Sequence, residues 1–352
     1  MQSEKLFEKK KILICCGSGG VGKTTLAASI ALEAARSGKK SIVLTIDPAK
    51  RLAAAMGISD LTNEPKLVPI EGISGQLFAM MLDTKRTFDR LIEKYTSDPK
   101  TRRSIFENRL YQHLSSMIAG SQEYMAMERL YELYKGGEYD LLVLDTPPTR
   151  HALDFLEAPK KMVNLTGDSV LHWFLKPGIF VGKASKIFSV FDRLAGFSFL
   201  HELAEMLALI SSLLSGFKDR AQSVYDLLRE DFCGFLLVSS PASISIQDAL
   251  YFLKSIKEYK LPFSGFIINR IHEPFVKKET HERDLATFSP ELRRKVERYI
   301  ENYEQLALRD QQATNLLRRA GSKKASFSTV PLLTNDVHDL KSLKKMSEAL
   351  FS

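Results

Sequence analysis

The feature that most constrains this chain is a glycine-rich loop that directly follows an apolar segment. Residues 11–16 read KILICC, and the next eight residues match the pattern G-x-x-x-x-G-K-[ST]. A helical pattern, Leu26 to Arg36, comes next. Glycines let a loop turn so that consecutive N–H groups face one point, and a helix amino terminus adds partial positive charge there. The pattern predicts a strand, a polyphosphate-binding loop and a helix, the loop being formed by Gly17, Ser18, Gly19, Gly20, Val21, Gly22, Lys23, Thr24 and Thr25.

Two side chains of this loop can act directly on a nucleoside triphosphate. We expect the ammonium of Lys23 to reach the β- and γ-phosphates. We expect the hydroxyl of Thr24 to ligate Mg²⁺, which bridges the same phosphate oxygens.

Composition places the chain among globular proteins. Of its 352 residues, 44% are hydrophobic and 26% are charged, a balance that excludes a disordered or fibrous protein. The longest stretch without a charged residue, Phe232 to Gln247, is shorter than the roughly 20 apolar residues of a spanning helix. The amino terminus has too short an apolar run for a secretory signal. We therefore expect a cytoplasmic protein, at most peripheral to a membrane.

The net charge bears on which partners the chain can bind, and the cysteine content bears on whether it forms disulfides. The chain has 50 Lys and Arg against 42 Asp and Glu, a net charge of +8, and the basic residues are spread along it. This charge permits contact with an anionic membrane, a nucleic acid or an acidic partner, but a solvated surface also accounts for it. The cysteines Cys15, Cys16 and Cys233 cannot form a disulfide framework, and we expect buried structural thiols.

Short apolar runs alternate with longer helical patterns, as in parallel βαβ units. Several runs are apolar throughout, which indicates a sheet covered by helices on both faces. The sequence therefore predicts an α/β fold with a doubly wound, mostly parallel sheet of the P-loop NTPase type, forming a single domain over residues 1–352. The predicted strands are Lys11 to Cys16, Ser41 to Ile46, Leu77 to Asp83, Asp140 to Asp145, Gly234 to Ser239, Gly265 to Asn269 and Ala325 to Val330.

Nearly ninety residues separate the fourth and fifth predicted strands, far more than a usual crossover. Their helical periodicity predicts an inserted helical subdomain, roughly Pro159 to Arg229. Apolar residues are dense from Ile187 to Phe217. This stripe either packs on the domain core or a second subunit, or forms an exposed hydrophobic groove. A second charge-rich stretch, Pro290 to Arg319, predicts a long solvated helix.

Two carboxylates end predicted strands near the loop. Asp145 closes the apolar run Leu141 to Leu144, where it can hold the hydration shell of Mg²⁺. Asp47 lies at the end of another predicted strand, directly after Ile46, and Pro48 biases its backbone toward an extended conformation.

The glycine-rich loop, TIDPA at 45–49 and DTPPTRH at 145–151 together resemble the arsenical-pump ATPase family, which also contains the ATPase that targets tail-anchored membrane proteins. Residues 82–89 and 122–128 are similar to its single-domain bacterial branch of anion-transporting-ATPase-like proteins. The resemblance implies an Mg²⁺-dependent ATPase that acts as a nucleotide-driven conformational switch and couples hydrolysis to a membrane-associated partner or hydrophobic client. It also implies a dimer, of identical subunits or with a paralogue.

The resemblance also implies roles for particular residues. Asp47 would orient or deprotonate the attacking water in switch I, and residues 145–151 would form switch II, with His151 structural. Asn269 would recognise adenine through its side-chain amide, and Pro331 would lie in the loop that packs on the base.

Two departures from the family pattern stand out. Ser18 replaces a lysine that crosses the dimer interface to the partner's nucleotide. Either Arg150, in place of the usual glycine, supplies the missing charge, or a paralogous partner does. The chain also lacks the family's C-x-x-C zinc pair and three-thiol metalloid site, so we do not expect activation by arsenite.

Three alternatives stay open at this point. The chain could be the energising subunit of an anion exporter, or a partition-type ATPase that binds nucleic acid or membrane. We do not expect a nucleic-acid partner, because such ATPases normally lack the long insertion and the DTPPTRH segment. A small-molecule kinase would need an acceptor pocket, for which the sequence offers no sign.

Overall fold

A computed structural model describes residues 3–47, 51–96, 98–108, 111, 121–147, 214–274, 285, 287–322 and 325–352. Within these ranges the strands are β1 (Ile12–Cys16), β2 (Lys40–Thr45), β3 (Lys66–Leu67), β4 (Gln76–Met81), β5 (Leu141–Asp145), β6 (Cys233–Ser239), β7 (Phe263–Ile271) and β8 (Ser326–Pro331). The helices are α1 (Ser3–Lys9), α2 (Lys23–Arg36), α3 (Arg51–Ala55), α4 (Thr84–Tyr95), α5 (Pro99–Glu107), α6 (Ser121–Gly136), α7 (Leu214–Leu227), α8 (Ser243–Glu258), α9 (Pro290–Ala320) and α10 (Leu340–Phe351).

The eight strands form one sheet in the order β3-β4-β2-β5-β1-β6-β7-β8. All neighbouring strands are parallel except β3, which pairs with β4 in the antiparallel sense. Strand β1 lies between β5 and β6, at the point where the strand order changes direction. In open α/β sheets ligands bind outside the carboxyl ends of the strands at such a point.

Alternate residues of β1 enter two different cores. Ile12, Ile14 and Cys16 pack on one face of the sheet with residues of α4, α6, α7 and α8. Leu13 and Cys15 pack on the other face with residues of α1, α2 and α10. Successive side chains of a strand point to opposite faces, so an all-apolar strand requires both faces to be covered. The α/β prediction is confirmed.

The seven predicted strands are all present, with ends that differ by at most two residues from the prediction. The prediction missed β3, which has only two residues, both exposed. No periodicity can be read from two residues, and pairing with Phe78 and Ala79 of β4 defines this strand.

The part of the predicted insertion that the structure describes is the helix α7. Its residues Ala221, Val224 and Leu227 are buried in the same core as α6. Residues 159–213, with most of the stripe from Ile187 to Phe217, lie outside the described residues, so the inserted subdomain stays a prediction.

The predicted long helix is present as α9, but only its first half is as solvated as expected. In its second half, four residues are buried: Ala307, Asp310, Thr314 and Leu317. Buried Asp310 accepts hydrogen bonds from the backbone N–H of His272 at 3.0 Å and contacts its Nδ1 at 2.6 Å. This end of α9 is therefore attached to the segment that follows β7.

The cysteines are free and buried, as predicted. Burial raises the pKa of Cys16 and Cys233 to about 12. Across the described ranges, no helix is both long enough and apolar enough to cross a membrane.

Candidate functional site

The glycine-rich loop joins the carboxyl end of β1 to the amino terminus of α2. Gly22 precedes the first residue of α2 with a φ of 92°, a left-handed conformation that glycine adopts without strain. A Cβ at Gly22 would also overlap Nδ2 of Asn269. Since glycine has no side chain to cap the helix, the first N–H groups of α2 can serve an anionic ligand.

Lys23 is the first residue of α2 and is buried. Its Nζ donates a hydrogen bond of 2.9 Å to the carbonyl oxygen of Ser18, within the loop. Burial lowers the pKa of Lys23, and the nearby carboxylate of Asp145 opposes this shift. The ammonium is thus held inside the loop, where a polyphosphate would be its counter-ion.

Asp145, the last residue of β5, is buried between two threonines. Its Oδ2 accepts hydrogen bonds from Thr24 Oγ1 at 2.7 Å and Thr45 Oγ1 at 2.8 Å. Its Oδ1 is buried and has no hydrogen-bond partner among the described residues. Burial raises the pKa of Asp145 to about 6, against the hydrogen bonds from both threonines and the charge of Lys23.

These groups fit a divalent cation. Mg²⁺ prefers oxygen ligands, and it usually binds through one or two carboxylates together with substrate phosphates. The hydroxyl of Thr24 and the unpartnered Oδ1 of Asp145 supply oxygen ligands beside the loop. A cation there would satisfy the buried oxygen and favour the charged form of the carboxylate.

Asp47 lies two residues beyond β2. Its backbone N–H donates to Thr45 Oγ1 at 3.2 Å, so one threonine contacts both Asp47 and Asp145. The guanidinium of Arg51, the first residue of α3, lies 3.7 Å from Oδ2 of Asp47. The sequence prediction did not include Arg51, because Pro48 biases Asp47 toward an extended backbone and the helical spacing rule therefore gave no signal for this pair.

Asn269 lies in β7 and is buried. Its Nδ2 donates a hydrogen bond of 2.9 Å to the carbonyl oxygen of Val21, and its Oδ1 accepts one of 3.0 Å from the backbone N–H of Arg270. The amide thus ties β7 to the loop. Because Nδ2 and Oδ1 can each make one more hydrogen bond, the amide remains able to bind adenine. Adenine recognition by Asn269 stays a prediction.

A cavity of about 440 Å³ opens over these elements. Residues that the sequence predicted for the site and that line the cavity are Gly20, Gly22, Lys23, Thr24, Thr25, Asp47, Asn269 and Pro331. The remaining predicted residues, Gly17, Ser18, Gly19, Val21 and Asp145, do not line it. Arg51 and Arg270 do line it, and the sequence prediction missed both.

Only the start of the predicted switch II is described. Thr146 is buried, and its Oγ1 donates to the carbonyl oxygen of Cys15 at 2.8 Å. Arg150 and His151 lie outside the described residues, so their predicted roles stay predictions.

The sheet, the loop after β1 and the carboxylate at the end of β5 define a nucleoside triphosphatase of the P-loop class. The chain belongs to the anion-transporting ATPase family, whose model matches residues 10–352. Like the members of this family, it is an ATP hydrolase.

Named relatives of this chain come from both branches of the predicted resemblance. The chain is 26% identical over 342 residues to "ATPase get3" of Aspergillus terreus, covering 95% of this chain and 88% of that protein. It is 26% identical over 289 residues to "Putative arsenical pump-driving ATPase 2" of Aquifex aeolicus, covering 82% of this chain and 87% of that protein. It is also similar to "ATPase GET3B" of Arabidopsis thaliana, at 26% identity over 285 residues, 76% of this chain and 65% of that protein. The predicted resemblance is confirmed.

Proposed function

We propose that the protein hydrolyses ATP with Mg²⁺ in the cavity above β1, β2 and β5, and that the nucleotide state controls binding of a partner. The observation that carries the proposal is the contact of 2.7 Å between Thr24 and the buried Asp145, beside an Asp145 oxygen that lacks a hydrogen-bond partner among the described residues.

The roles of the residues follow from charge and position. Lys23 neutralises charge on the β- and γ-phosphates, because its ammonium already lies inside the loop. The N–H groups at the start of α2 bind phosphate oxygens. Asp47, at the cavity wall, orients the attacking water and accepts its proton. Asn269 and Pro331, which also line the cavity, contact the base.

Thr24 and Asp145 would hold the metal ion. When bound, Mg²⁺ neutralises charge on the triphosphate and fixes the geometry of its oxygens.

The assignment of Asp145 to the metal site can be tested by comparing variants at the two ends of β5. We expect Asp145→Asn to weaken the Mg²⁺ dependence of ATP binding and to lower turnover by at least about 100-fold. The matched control is Asp140→Asn, since Asp140 lies exposed just before the amino end of β5. Calorimetry with ATPγS at increasing Mg²⁺ measures the first effect, and phosphate release measures the second. Equal Mg²⁺ dependence in both variants would contradict the proposal.

The conformational part of the proposal concerns Asp47 and Asp145. Asp47 lies two residues beyond β2 and Asp145 ends the adjacent strand β5, and each belongs to a segment assigned to a switch. Contacts to a γ-phosphate can order such segments, and hydrolysis releases them. We propose that this change is passed to the helical insertion and to a hydrophobic client or membrane partner, in a cytoplasmic dimer that is peripheral at the membrane.

A second candidate function, the energising subunit of an exporter, is favoured by the relative named as a pump-driving ATPase. If such a pump acts on metalloids through thiolates, the buried cysteines of this chain are poorly suited to it, because their raised pKa values disfavour the thiolate.

Three measurements test these finer proposals. Sedimentation of the protein with ADP and with ATPγS reports whether it dimerises.

A synthetic transmembrane-helix peptide, added in each nucleotide state, should form a complex in only one of them. Absence of a complex in every state would remove the client proposal. A DNA complex that weakens between 50 and 200 mM salt would instead favour a partition-type ATPase.

A further inference from the structure

A bulge interrupts the pairing of β7 and β8 beside the cavity. Ile268 pairs with Thr329 and Ile271 pairs with Pro331, so two residues of β7 oppose a single residue of β8. The two residues are Asn269 and Arg270. Bulges next to binding sites commonly redirect a side chain.

The backbone of Arg270 is strained. Its φ is 63°, in the left-handed region that residues with a Cβ rarely adopt. The hydrogen bond from its N–H to Oδ1 of Asn269 holds the bulge in place. Strain of this kind persists where surrounding contacts enforce it, and it is concentrated at functional sites.

The strained residue places a cation at the cavity. Arg270 is exposed and lines the cavity together with the apolar Pro331, Leu332 and Val337 and the polar Asn335 and Asp336. Among the residues that the structure describes, no ion pair or side-chain hydrogen bond engages its guanidinium. The other arginine on the cavity wall, Arg51, lies close to Asp47. Arg270 thus presents an uncommitted planar cation at the wall of the cavity.

We propose that Arg270 binds the nucleoside part of ATP by stacking its guanidinium on the face of the base. A guanidinium stacks on π-systems through its plane and its charge. The apolar side chains of Pro331, Leu332 and Val337 suit an aromatic ring, and the carboxylate of Asp336, which also lines the cavity, disfavours phosphate. This inference rests on the proposed function, because it assigns a contact to the same nucleotide.

The test compares two ligands that share the phosphate chain. Calorimetry with ATPγS and with inorganic tripolyphosphate, both with Mg²⁺, is carried out on the wild type and on Arg270→Gln. We expect the variant to bind ATPγS about tenfold more weakly and to bind tripolyphosphate with unchanged affinity. In turnover, KM rises and kcat stays constant, because the contact is equal in the ground and transition states.

Arg270→Gly separates the side chain from the backbone strain. Glycine tolerates the positive φ, so we expect its melting temperature to equal or exceed that of the wild type, while it loses ATPγS affinity as Arg270→Gln does. Lys260 is a matched control, since its φ is 54° and it lies before β7, at the opposite end of the strand. Lys260→Gly should likewise keep or raise the melting temperature, and it should bind ATPγS normally.

The outcomes are distinguishable. Equal losses for ATPγS and tripolyphosphate would place the guanidinium on phosphate and overturn the stacking proposal. Unchanged ATPγS affinity in Arg270→Gln and Arg270→Gly would overturn it as well, and a lower melting temperature for Arg270→Gly would contradict the strained bulge. If the wild type binds neither ligand, the proposed function itself fails.

Discussion

The hydroxyl of Thr24 donates a hydrogen bond of 2.7 Å to Oδ2 of Asp145, a residue 121 positions later in the chain. This contact joins the helix that follows β1 to the end of the neighbouring strand β5. Thr45, at the end of β2, donates to the same oxygen at 2.8 Å. The start of α2 and the ends of β2 and β5 therefore meet at one buried carboxylate.

Substitutions at Lys23 and Asp47 should affect ATP binding and turnover separately. We expect Lys23→Ala to weaken ATPγS binding by about 100-fold, because the charged hydrogen bonds to phosphate are lost. We expect Asp47→Asn to keep binding within about twofold and to lower kcat by about 100-fold, because an amide cannot accept the proton of water. Calorimetry and phosphate release give the two quantities. The control is Lys11→Ala, an exposed lysine just before the amino end of β1. Turnover at the normal rate by Asp47→Asn would show that the switch I assignment is wrong.

Substitutions at two glycines of the loop allow the cost of backbone strain to be compared with the cost of steric overlap. Both have positive φ, 75° at Gly20 and 92° at Gly22, but only at Gly22 would a Cβ meet another side chain, that of Asn269. We expect Gly20→Ala to cost about 1 kcal/mol of unfolding free energy from strain alone. Gly22→Ala should cost about 3 kcal/mol, because Asn269 must also move. Urea unfolding measures both, and equal costs would contradict the close approach of Asn269 to the loop.

A buried ion pair joins α6 to α7. Arg220 donates three hydrogen bonds to the carboxylate of Glu128 at 2.6–2.9 Å, and its guanidinium lies over the ring of Tyr131, 3.8 Å from the centroid. Burial raises the pKa of Glu128, and Arg220 opposes the shift. We expect Arg220→Ala to lower the unfolding free energy by about 3 kcal/mol, since it leaves a buried carboxylate without its partner.

A double-mutant cycle tests this pair. Combining Arg220→Met with Glu128→Leu should cost less than the sum of the two single changes, since neither charge is then left alone. The exposed pair Arg103 and Glu107, also joined by a hydrogen bond, serves as a control and should show no measurable coupling. Additive effects of the Arg220 and Glu128 changes would indicate that the pair does not hold α7 to the domain.

Arg51 is a candidate for the positive charge that a lysine supplies in the family and that Ser18, at the same position, does not. Its side chain is 68% exposed and only weakly held by Asp47 at 3.7 Å, so it can turn toward the transferred phosphoryl group. We expect Arg51→Ala to lower kcat about tenfold with KM unchanged. Arg86→Ala, which removes an exposed arginine from α4, is the control.

Arg150→Ala distinguishes Arg51 from the candidate that the sequence suggested. Unchanged turnover and ATP affinity in Arg150→Ala, together with reduced turnover in Arg51→Ala, would assign the charge to Arg51. The reverse pattern would assign it to Arg150.

The sequence predicted the local elements and their order well. A glycine-rich loop after an apolar strand is a pattern of adjacent residues, so the positions of Lys23 and Thr24 could be assigned without any tertiary information. All-apolar strands required helices on both faces, and the structure places the two sets of β1 residues in two cores. The carboxylates Asp47 and Asp145 were found because they lie at or just beyond the ends of such strands.

The tertiary structure alone decided how distant segments meet. The sequence has no local signal for the pairing of β3, the bulge at Arg270 or the contact of Arg220 with Glu128, because each depends on the register of a strand or the packing of a helix against residues far along the chain. The local order of residues determines which elements form, whereas long-range packing determines which side chains share a cavity. That is why the loop was readable from the sequence and the two arginines on the cavity wall were not.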